Sequence, residues 1–216
     1  MSSFASLHRS APGIYVVVGL GASRELARDL IHRGAFSIGC NEAQAALGVT
    51  MDFGLSADRW SHQGGAVCPF SPERLEALRL SRPRGAYFHS IPDSVPDAWT
   101  EWRGKLVPFG HQGPPHGSLS LEDVHDRLLP NGWSSVVPAI AAAWWLGAHR
   151  IGVCGMDLTD RSHSLWPHRV ELSKILAEHA EIYRAAGCPV VNLSETSIVR
   201  GLEVVSPLRF WRDPIL

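Results

Sequence analysis

The sequence predicts one α/β domain in which a mostly parallel sheet is flanked by helices. Residues 14–19 form an apolar run rich in β-branched side chains, as expected of a strand buried on both faces. Residues 136–148 form a longer apolar run that fits a core helix, and a second apolar strand follows at residues 150–155. Strands that alternate with helices in this way favour parallel pairing.

The length, composition and net charge of the chain limit the classes of function that it can have. Its 216 residues predict a single domain, residues 1–216, and 45% hydrophobic with 19% charged residues is ordinary for a globular protein. A net charge of −1 argues against nucleic acid as the main partner. The longest apolar run is too short to cross a bilayer, and residues 1–12 lack the apolar core of a signal peptide. We therefore expect a cytoplasmic protein without a transmembrane segment, and a homo-oligomer is compatible with the sequence.

A glycine turn follows the first predicted strand. Gly19, Gly21 and Ser23 lead into a predicted helix over residues 24–33. Strand, glycine turn and helix together place free backbone N–H groups against a phosphate, but the full G-x-G-x-x-G pattern is absent because residue 24 is Arg. A structural turn and a ligand-binding turn therefore both remain open, and Ser23 is either a helix cap or a phosphate contact.

Polar residues follow two of the next predicted strands. The strands are expected at residues 36–40, 49–57, 85–91 and 105–110. Asn41 and Asp58 come after the first two, where side chains line the ligand crevice of an open α/β sheet. An amide such as that of Asn41 suits a base or a ribose, whereas the alternative is a cap for a helix over residues 42–47.

Two connections are predicted to be flexible, near residues 111–130 and 158–167. The first begins with a Gly- and Pro-rich stretch, residues 111–118, that is not expected to form regular structure. Its histidines, His111 and His116, fit exposed positions better than a metal site. The second connection carries Asp160 and His163.

The predicted core helix begins at a small polar turn. Gly132, Ser134 and Ser135 offer hydroxyls and unpaired N–H groups at a helix N-terminus. The strand that follows this helix ends at Gly155, and Asp157 comes two residues later. Asp157 is either a cap or turn residue, or a side chain of a functional site at the strand end. The chain is then predicted to close with a helix over residues 168–186, a strand over 188–193 and a packed tail over 207–216.

The order of these motifs resembles a known family of enzymes. The motifs are, in chain order, Gly19-x-Gly21-x-Ser23, Asn41, Gly132-Trp-Ser-Ser135, Leu146-Gly-Ala148, Gly155-Met-Asp157, and a histidine before a long helix that leads to Val190-Val-Asn-Leu193. They resemble those of the bacterial sialyltransferases of glycosyltransferase family 42, which transfer sialic acid from CMP-sialic acid. The chain is also similar to bacterial and phage proteins related to an archaeal 6-hydroxymethylpterin diphosphokinase.

The resemblance to family 42 implies a Rossmann-like domain, a variant of the GT-A type, that uses a nucleotide sugar without an obligatory metal. It implies His168 as the general base that takes the proton of the acceptor hydroxyl, because imidazole titrates near neutral pH. The implied nucleotide and donor contacts are Gly19, Gly21, Ser23, Asn41, Asp58, Gly132, Ser134, Ser135, Gly155 and Asp157.

The chain departs from family 42 in the connection over residues 158–167. That segment usually carries tyrosines that help the phosphate leave, and this one has none. The candidates to stabilise the departing charge instead are His163 and Arg161. The departure makes the identity of the donor sugar an open question.

Three functions are consistent with these motifs. The first is a glycosyltransferase that uses a CMP-linked donor and an acceptor of unknown identity. The second is a diphosphokinase of the pterin type, for which Mg²⁺ at Asp157 and Asp160 is the expected cofactor. The third is a non-catalytic nucleotide-binding protein of bacterial or phage origin. Metal dependence separates the first two functions, and ligand binding without turnover indicates the third.

Overall fold

The computed structural model describes residues 5–58, 60, 70–102, 104–112, 121–125, 128–130, 134–159 and 166–213. Within these ranges the chain forms ten strands and seven α-helices. The strands are β1 Gly13–Val18, β2 Phe36–Cys40, β3 Phe53–Ser56, β4 Tyr87–His89, β5 Leu106–Pro108, β6 Gly110–Gln112, β7 Leu128–Pro130, β8 Ala148–Cys154, β9 Val190–Asn192 and β10 Glu203–Val204. The helices are α1 Leu26–His32, α2 Ala43–Leu47, α3 Pro72–Leu80, α4 Leu121–His125, α5 Val136–Leu146, α6 Arg169–Ala185 and α7 Pro207–Arg212.

Eight of the strands form one open sheet in which every neighbouring pair is parallel. Their spatial order is β10-β9-β8-β1-β2-β3-β4-β5, and β6 and β7 pair separately, also in parallel. From β1 the chain builds outward through β2 to β5, then returns to the centre and builds the other way from β8 to β10. The predicted Rossmann-like α/β fold is confirmed, and the order of strands reverses between β1 and β8.

Alternate residues of β1 face the two helical layers. Tyr15 and Val17 belong to the larger core cluster, with α5 and α6, whereas Val16 and Val18 belong to a second cluster with α1, α2 and α7. All four side chains are 0% exposed. A strand covered on both faces has no position for a polar side chain, which is why the sequence there is a continuous apolar run.

Helix α5 is buried between the main sheet and the small β6–β7 sheet. Ten of its eleven residues are buried, and it packs against β1, β2 and β8 as well as β7 and α4. Its alanines let the backbone approach the sheet closely, and Gly147 ends it in the left-handed conformation with φ 107°. Strand β8 begins at the next residue, so the N-terminus of α5 lies at the carboxyl edge of the sheet.

Several sequence predictions need correction. Residues 111–118 were expected to be irregular, yet His111 lies in β6, whose Gly110–Gln112 pairs with β7. The helix expected to begin at residue 24 is a 3-10 turn, Ala22–Glu25, followed by α1. His116 lies outside the described residues, and the flexibility of the two connections stays a prediction.

The longest of the seven α-helices in the described residues is α6, with 17 residues. None of them is both long enough and apolar enough to cross a membrane.

Candidate functional site

The candidate site lies where the order of strands reverses. β1 and β8 pair in register, Val18 opposite Cys154, so their carboxyl ends lie side by side. Helix α1, which follows β1, covers one face of the sheet, whereas α6, which follows β8, covers the other. The two connections therefore diverge from this carboxyl edge, and such a reversal of strand order is the usual ligand position in open α/β sheets.

Three of the predicted glycines hold the loops after β1 and β8 against each other. The Gly19 N–H donates to the carbonyl of Cys154 at 2.9 Å, and the Gly21 N–H donates to the carbonyl of Gly155 at 2.6 Å. Gly155 has φ +73°, and a Cβ there would lie 2.5 Å from the Gly19 carbonyl oxygen. Glycine is required at these positions by the contact between the two loops.

Asp157 closes this contact with its carboxylate. Its side chain is buried, since the residue is 1% exposed, and its Oδ2 accepts the backbone N–H of Ser23 at 2.7 Å. Its Oδ1 accepts the hydroxyl of Ser194 at 2.8 Å. The sequence left open whether Asp157 is a cap or a side chain of a functional site. In the structure it acts as a cap, because its carboxylate accepts a backbone N–H of the 3-10 turn Ala22–Glu25 that follows β1. A ligand phosphate would have to displace Asp157 to reach the Ser23 N–H.

Ser23 contributes its hydroxyl to the same cluster. Its Oγ accepts the N–H of Gly155 at 2.8 Å, and the residue lies within the 3-10 turn that Gly21 begins. Ser23 therefore does not cap its own helix, as one of the two predictions proposed. Gly19, Gly21, Ser23, Gly155 and Asp157 form one hydrogen-bonded cluster, which we call the loop clasp.

The N-terminus of α5 lies beside the loop clasp. A Cβ on Gly19 would lie 3.5 Å from a methyl carbon of Val136, the first residue of α5. Ser134 and Ser135 are half-buried there, and the Ser134 hydroxyl accepts the N–H of Val136 at 3.3 Å. Gly132, predicted for the same turn, lies outside the described residues. The positive end of an eleven-residue helix therefore lies at this edge of the sheet, beside the loop clasp.

Asn41 and Asp58 meet at the ends of β2 and β3. The Asn41 side-chain N–H donates to Asp58 Oδ2 at 3.1 Å, and Asn41 adopts φ +52°. The N-cap residue of α2 is Glu42, so Asn41 does not cap this helix. Burial raises the pKa of the Asp58 carboxyl, the charge of Glu42 adds to the shift, and the Asn41 bond and the charge of Arg74 oppose it.

Sequence reasoning missed three residues that border these groups. Glu42 is 9% exposed and pairs with Arg74 of α3, Oε1 to Nε at 2.5 Å. Ser194, the partner of Asp157, is also buried. Glu42 and Ser194 both follow a strand at its carboxyl end, so the rule that singled out Asn41 and Asp157 would have found them. Arg74 carries no such signal, because it lies in the first turn of a surface helix.

His168 lies at the same edge of the sheet. Helix α6 links the carboxyl end of β8 to the amino end of β9, and His168 is its N-cap residue, half-buried. His163 and Asp160 lie outside the described residues. In the part of the chain that the structure describes, no group of three or more His, Cys, Asp or Glu side chains is arranged to hold a metal ion.

Comparison with solved structures relates this fold to a glycosyltransferase. The fold is similar to that of the MAf glycosyltransferase from Magnetospirillum magneticum AMB-1, with a TM-score of 0.58 and 15% sequence identity. The similarity covers 93% of this chain and 35% of that chain, so this chain spans about a third of that protein's length. No protein-family model and no curated protein sequence matches the chain. A glycosyltransferase-like fold is confirmed, whereas membership of family 42 or of the diphosphokinase group stays a prediction.

Proposed function

We propose that this chain is a nucleotide-sugar-dependent glycosyltransferase that uses a CMP-linked donor and needs no metal. The observation that carries the proposal is the reversal of strand order between β1 and β8. The loop clasp, the N-terminus of α5 and the N-terminus of α6 all lie at this one edge. The similarity of the whole sheet to that of a glycosyltransferase supports the same class of reaction.

The donor phosphate is proposed to bind at the N-terminus of α5. The Ser23 N–H already donates to Asp157, so the loop after β1 offers this donor only if the loop clasp opens. Ser134 and Ser135 directly precede Val136, whose side chain lies beside Gly19, and they bring hydroxyls and a helix dipole to this edge of the sheet. In this arrangement Gly19, Gly21 and Gly155 shape the floor of the site, and Asp157 holds it.

The nucleoside is proposed to extend from this phosphate toward β2 and β3. β2 is the neighbour of β1 in the sheet, and neighbouring strands are roughly 4.8 Å apart. Asn41 and Asp58, at the ends of β2 and β3, are then within reach of the ribose or the base. Both side chains are half-buried, so they keep part of their surface accessible to a ligand.

His168 is proposed as the general base. It would take the proton of the acceptor hydroxyl while the acceptor oxygen forms a bond to the donor's anomeric carbon. The bond from that carbon to the phosphate oxygen breaks, and CMP leaves with the electron pair. His163 is proposed to stabilise the charge that develops on the departing phosphate. This step needs no Lewis-acidic metal ion if the N-terminus of α5 and the protonated imidazole of His163 share the charge on the departing phosphate.

The diphosphokinase alternative is less well supported by the geometry of Asp157. A Mg²⁺ ion needs carboxylate oxygens that are free to coordinate it. Both oxygens of Asp157 accept hydrogen bonds from the chain, one from Ser23 and one from Ser194. Metal binding at Asp157 and Asp160 would therefore require the loop clasp to open first.

Thermal-shift measurements with and without Mg²⁺ test the proposal. The ligands are CMP, CDP, UDP, GDP, ATP and AMP, and a ligand that binds the native state raises the melting temperature by mass action. We expect CMP to stabilise the protein in EDTA and the other nucleotides to have smaller effects. Stabilisation by ATP alone, and only with Mg²⁺, would instead support the diphosphokinase.

A further inference from the structure

Two hydrogen-bond acceptors at the end of β2 are buried and have no donor in the part of the chain that the structure describes. Asn41 Oδ1 and Glu42 Oε2 are both shielded from solvent, and neither has a hydrogen-bond partner among the described residues. They belong to consecutive residues, immediately after Cys40 at the carboxyl end of β2. An acceptor that has lost water and gained no donor destabilises the native state, so such atoms mark a place where a donor is missing.

The orientation of the Asn41 amide follows from its neighbour. Its Nδ2 donates to Asp58 Oδ2 at 3.1 Å. Rotating the amide by half a turn would set a carbonyl oxygen against a carboxylate oxygen, two acceptors with no proton between them. The carbonyl oxygen of Asn41 is therefore the atom of this amide that has no hydrogen-bond partner within the described ranges.

The carboxylate of Glu42 is held by a cation on its other side. Arg74 Nε lies 2.5 Å from Oε1, and the Arg74 guanidinium lies over the ring of Phe70 at 4.5 Å. The ion pair fixes the rotamer of Glu42, so Oε2 is an acceptor in a defined place. The Glu42 side chain as a whole is still 12% exposed, so it is not sealed from the surface.

We propose that Glu42 Oε2 and Asn41 Oδ1 accept hydrogen bonds from the two hydroxyls of a ribose, and that this makes the site selective for ribonucleotides. This inference rests on the proposed nucleotide site. A cis-diol supplies two O–H donors on adjacent carbons, which matches two acceptors on adjacent residues. A phosphate has only acceptor oxygens at neutral pH and would be repelled by Glu42 and Asp58.

The position in the sheet agrees with a ribose rather than a phosphate. The phosphate is placed by the glycine loop after β1 and the N-terminus of α5, one strand away from the end of β2. One strand spacing, roughly 4.8 Å, is comparable to the span from the phosphorus to the hydroxyls of a nucleoside 5′-monophosphate.

Binding measurements in which both the ligand and the protein are varied test the inference. The ligands are CMP, 2′-deoxy-CMP and 3′-deoxy-CMP, and the proteins are the wild type, Glu42→Ala, Glu42→Gln and Asn41→Ala, titrated in EDTA. Glu76→Gln is the matched control, because Glu76 also pairs with an arginine of α3, Arg79 at 2.8 Å, but its side chain is 54% exposed. Each pair of ligands and proteins forms a cycle that isolates the contact between one hydroxyl and one side chain.

We expect the wild type and Glu76→Gln to bind CMP about tenfold or more tightly than a deoxy ligand, the scale of one hydrogen bond to a charged group. Glu42→Ala should reduce the ratio of the affinities for CMP and for one of the two deoxy ligands toward one. Asn41→Ala should do the same for the other deoxy ligand. Affinity for the matching deoxy ligand should hardly change. A general loss of structure would weaken all three ligands together and leave the ratio unchanged.

The possible failures are distinct. If the wild type binds ribo- and deoxynucleotides equally, the inference is wrong while the proposed function stands. If no nucleotide binds at all, the proposed function fails and this inference fails with it. A rise in melting temperature with Mg²⁺ alone that Glu42→Gln abolishes would show that a cation occupies these acceptors, and would overturn the ribose assignment.

Discussion

The backbone N–H of Ser23 donates to the carboxylate of Asp157 at 2.7 Å, across 134 positions of the sequence. This bond joins the loop after β1 to the loop after β8 at the carboxyl edge of the sheet. In such a fold the backbone N–H of Ser23 is well placed to bind a phosphate. Here it already donates to a side chain of the protein itself. Asp157 thus has a structural role that any ligand-binding role would have to accommodate.

Replacing Asp157 should separate these two roles. Asp157→Ala leaves the Ser23 N–H and the Ser194 hydroxyl without an acceptor, and we expect a loss of about 2–4 kcal/mol in the free energy of unfolding. Asp157→Asn should lose about 1 kcal/mol or less, because Oδ1 can still accept from Ser23 while Nδ2 donates to the Ser194 oxygen. Urea unfolding measures both.

Asp93→Ala is the control for that measurement, since Asp93 is exposed. Equal losses for the Ala and Asn variants would contradict the assigned hydrogen bonds. An Asn variant that is stable but no longer binds CMP would show that the carboxylate also contacts the ligand.

Gly155→Ala should destabilise the protein more than Gly187→Ala, although the two glycines have similar backbone conformations. Gly155 has φ +73° and Gly187 has φ +79°, so an alanine at either position adopts a left-handed conformation, at a cost of about 1–2 kcal/mol. A Cβ at Gly155 would also lie 2.5 Å from the Gly19 oxygen, whereas one at Gly187 would have no neighbour within 4 Å.

We therefore expect Gly187→Ala to show only the conformational loss. Gly155→Ala should lose about 1–3 kcal/mol more, the usual scale of steric overpacking, and should weaken CMP binding. Melting temperatures and titrations with CMP measure the two effects. Similar stabilities for the two variants would contradict the close contact between the loops after β1 and β8.

His89 should make the protein less stable as the pH falls. Burial lowers the pKa of His89 to about 3, from 6.5 for an ordinary histidine, and its Nδ1 accepts the N–H of Ile91. Between these two values the unfolded chain binds a proton that the folded chain does not, so stability is lost as the pH falls from 6.5 toward 3. Burial also lowers the pKa of His179, to about 4, which adds to the slope.

His89→Asn should reduce this slope by up to about 1.4 kcal/mol per pH unit while leaving the contribution of His179. The Asn carbonyl can accept the Ile91 N–H in place of Nδ1 and does not titrate. Urea unfolding between pH 7 and pH 4.5 checks the slope, and His32→Asn is the control at an exposed histidine. An unchanged slope for His89→Asn would show that His89 is not buried in its neutral form.

The sequence predicted the fold class where elements are apolar throughout. Residues 15–18 of β1, nearly all of α5 and residues 151–154 of β8 are buried, so their composition alone distinguishes them from surface elements. β6 was missed because Gly110 and His111 have no intrinsic preference for a strand, and the strand exists through its pairing with β7.

The candidate site was predictable as a region and unpredictable in its contacts. Polar residues at strand ends indicated that Asn41, Asp58 and Asp157 lie at one edge of the sheet. The partner of each carboxylate depends on which strands are neighbours, and the bond from Asp157 to Ser23 requires β1 beside β8. The ion pair of Glu42 with Arg74 likewise requires the packing of α3 against α2.

His168→Ala should abolish transfer and leave nucleotide affinity nearly unchanged. The imidazole is proposed to act on the acceptor hydroxyl, so its loss removes the base without removing a contact to CMP. Single-turnover transfer and CMP titration measure the two quantities separately. His149→Ala, at an exposed position of β8, is the control. Transfer that survives His168→Ala would show that another group is the base.

The release of CMP from a CMP-linked sugar in EDTA tests the central claim most directly. The purified chain would be incubated with CMP-sialic acid and with other CMP-linked sugars, and free CMP quantified over time, with water or an added hydroxyl compound as acceptor. The proposed function predicts metal-independent CMP release that depends on His168. No release from any nucleotide sugar, together with ATP turnover that requires Mg²⁺, would contradict it.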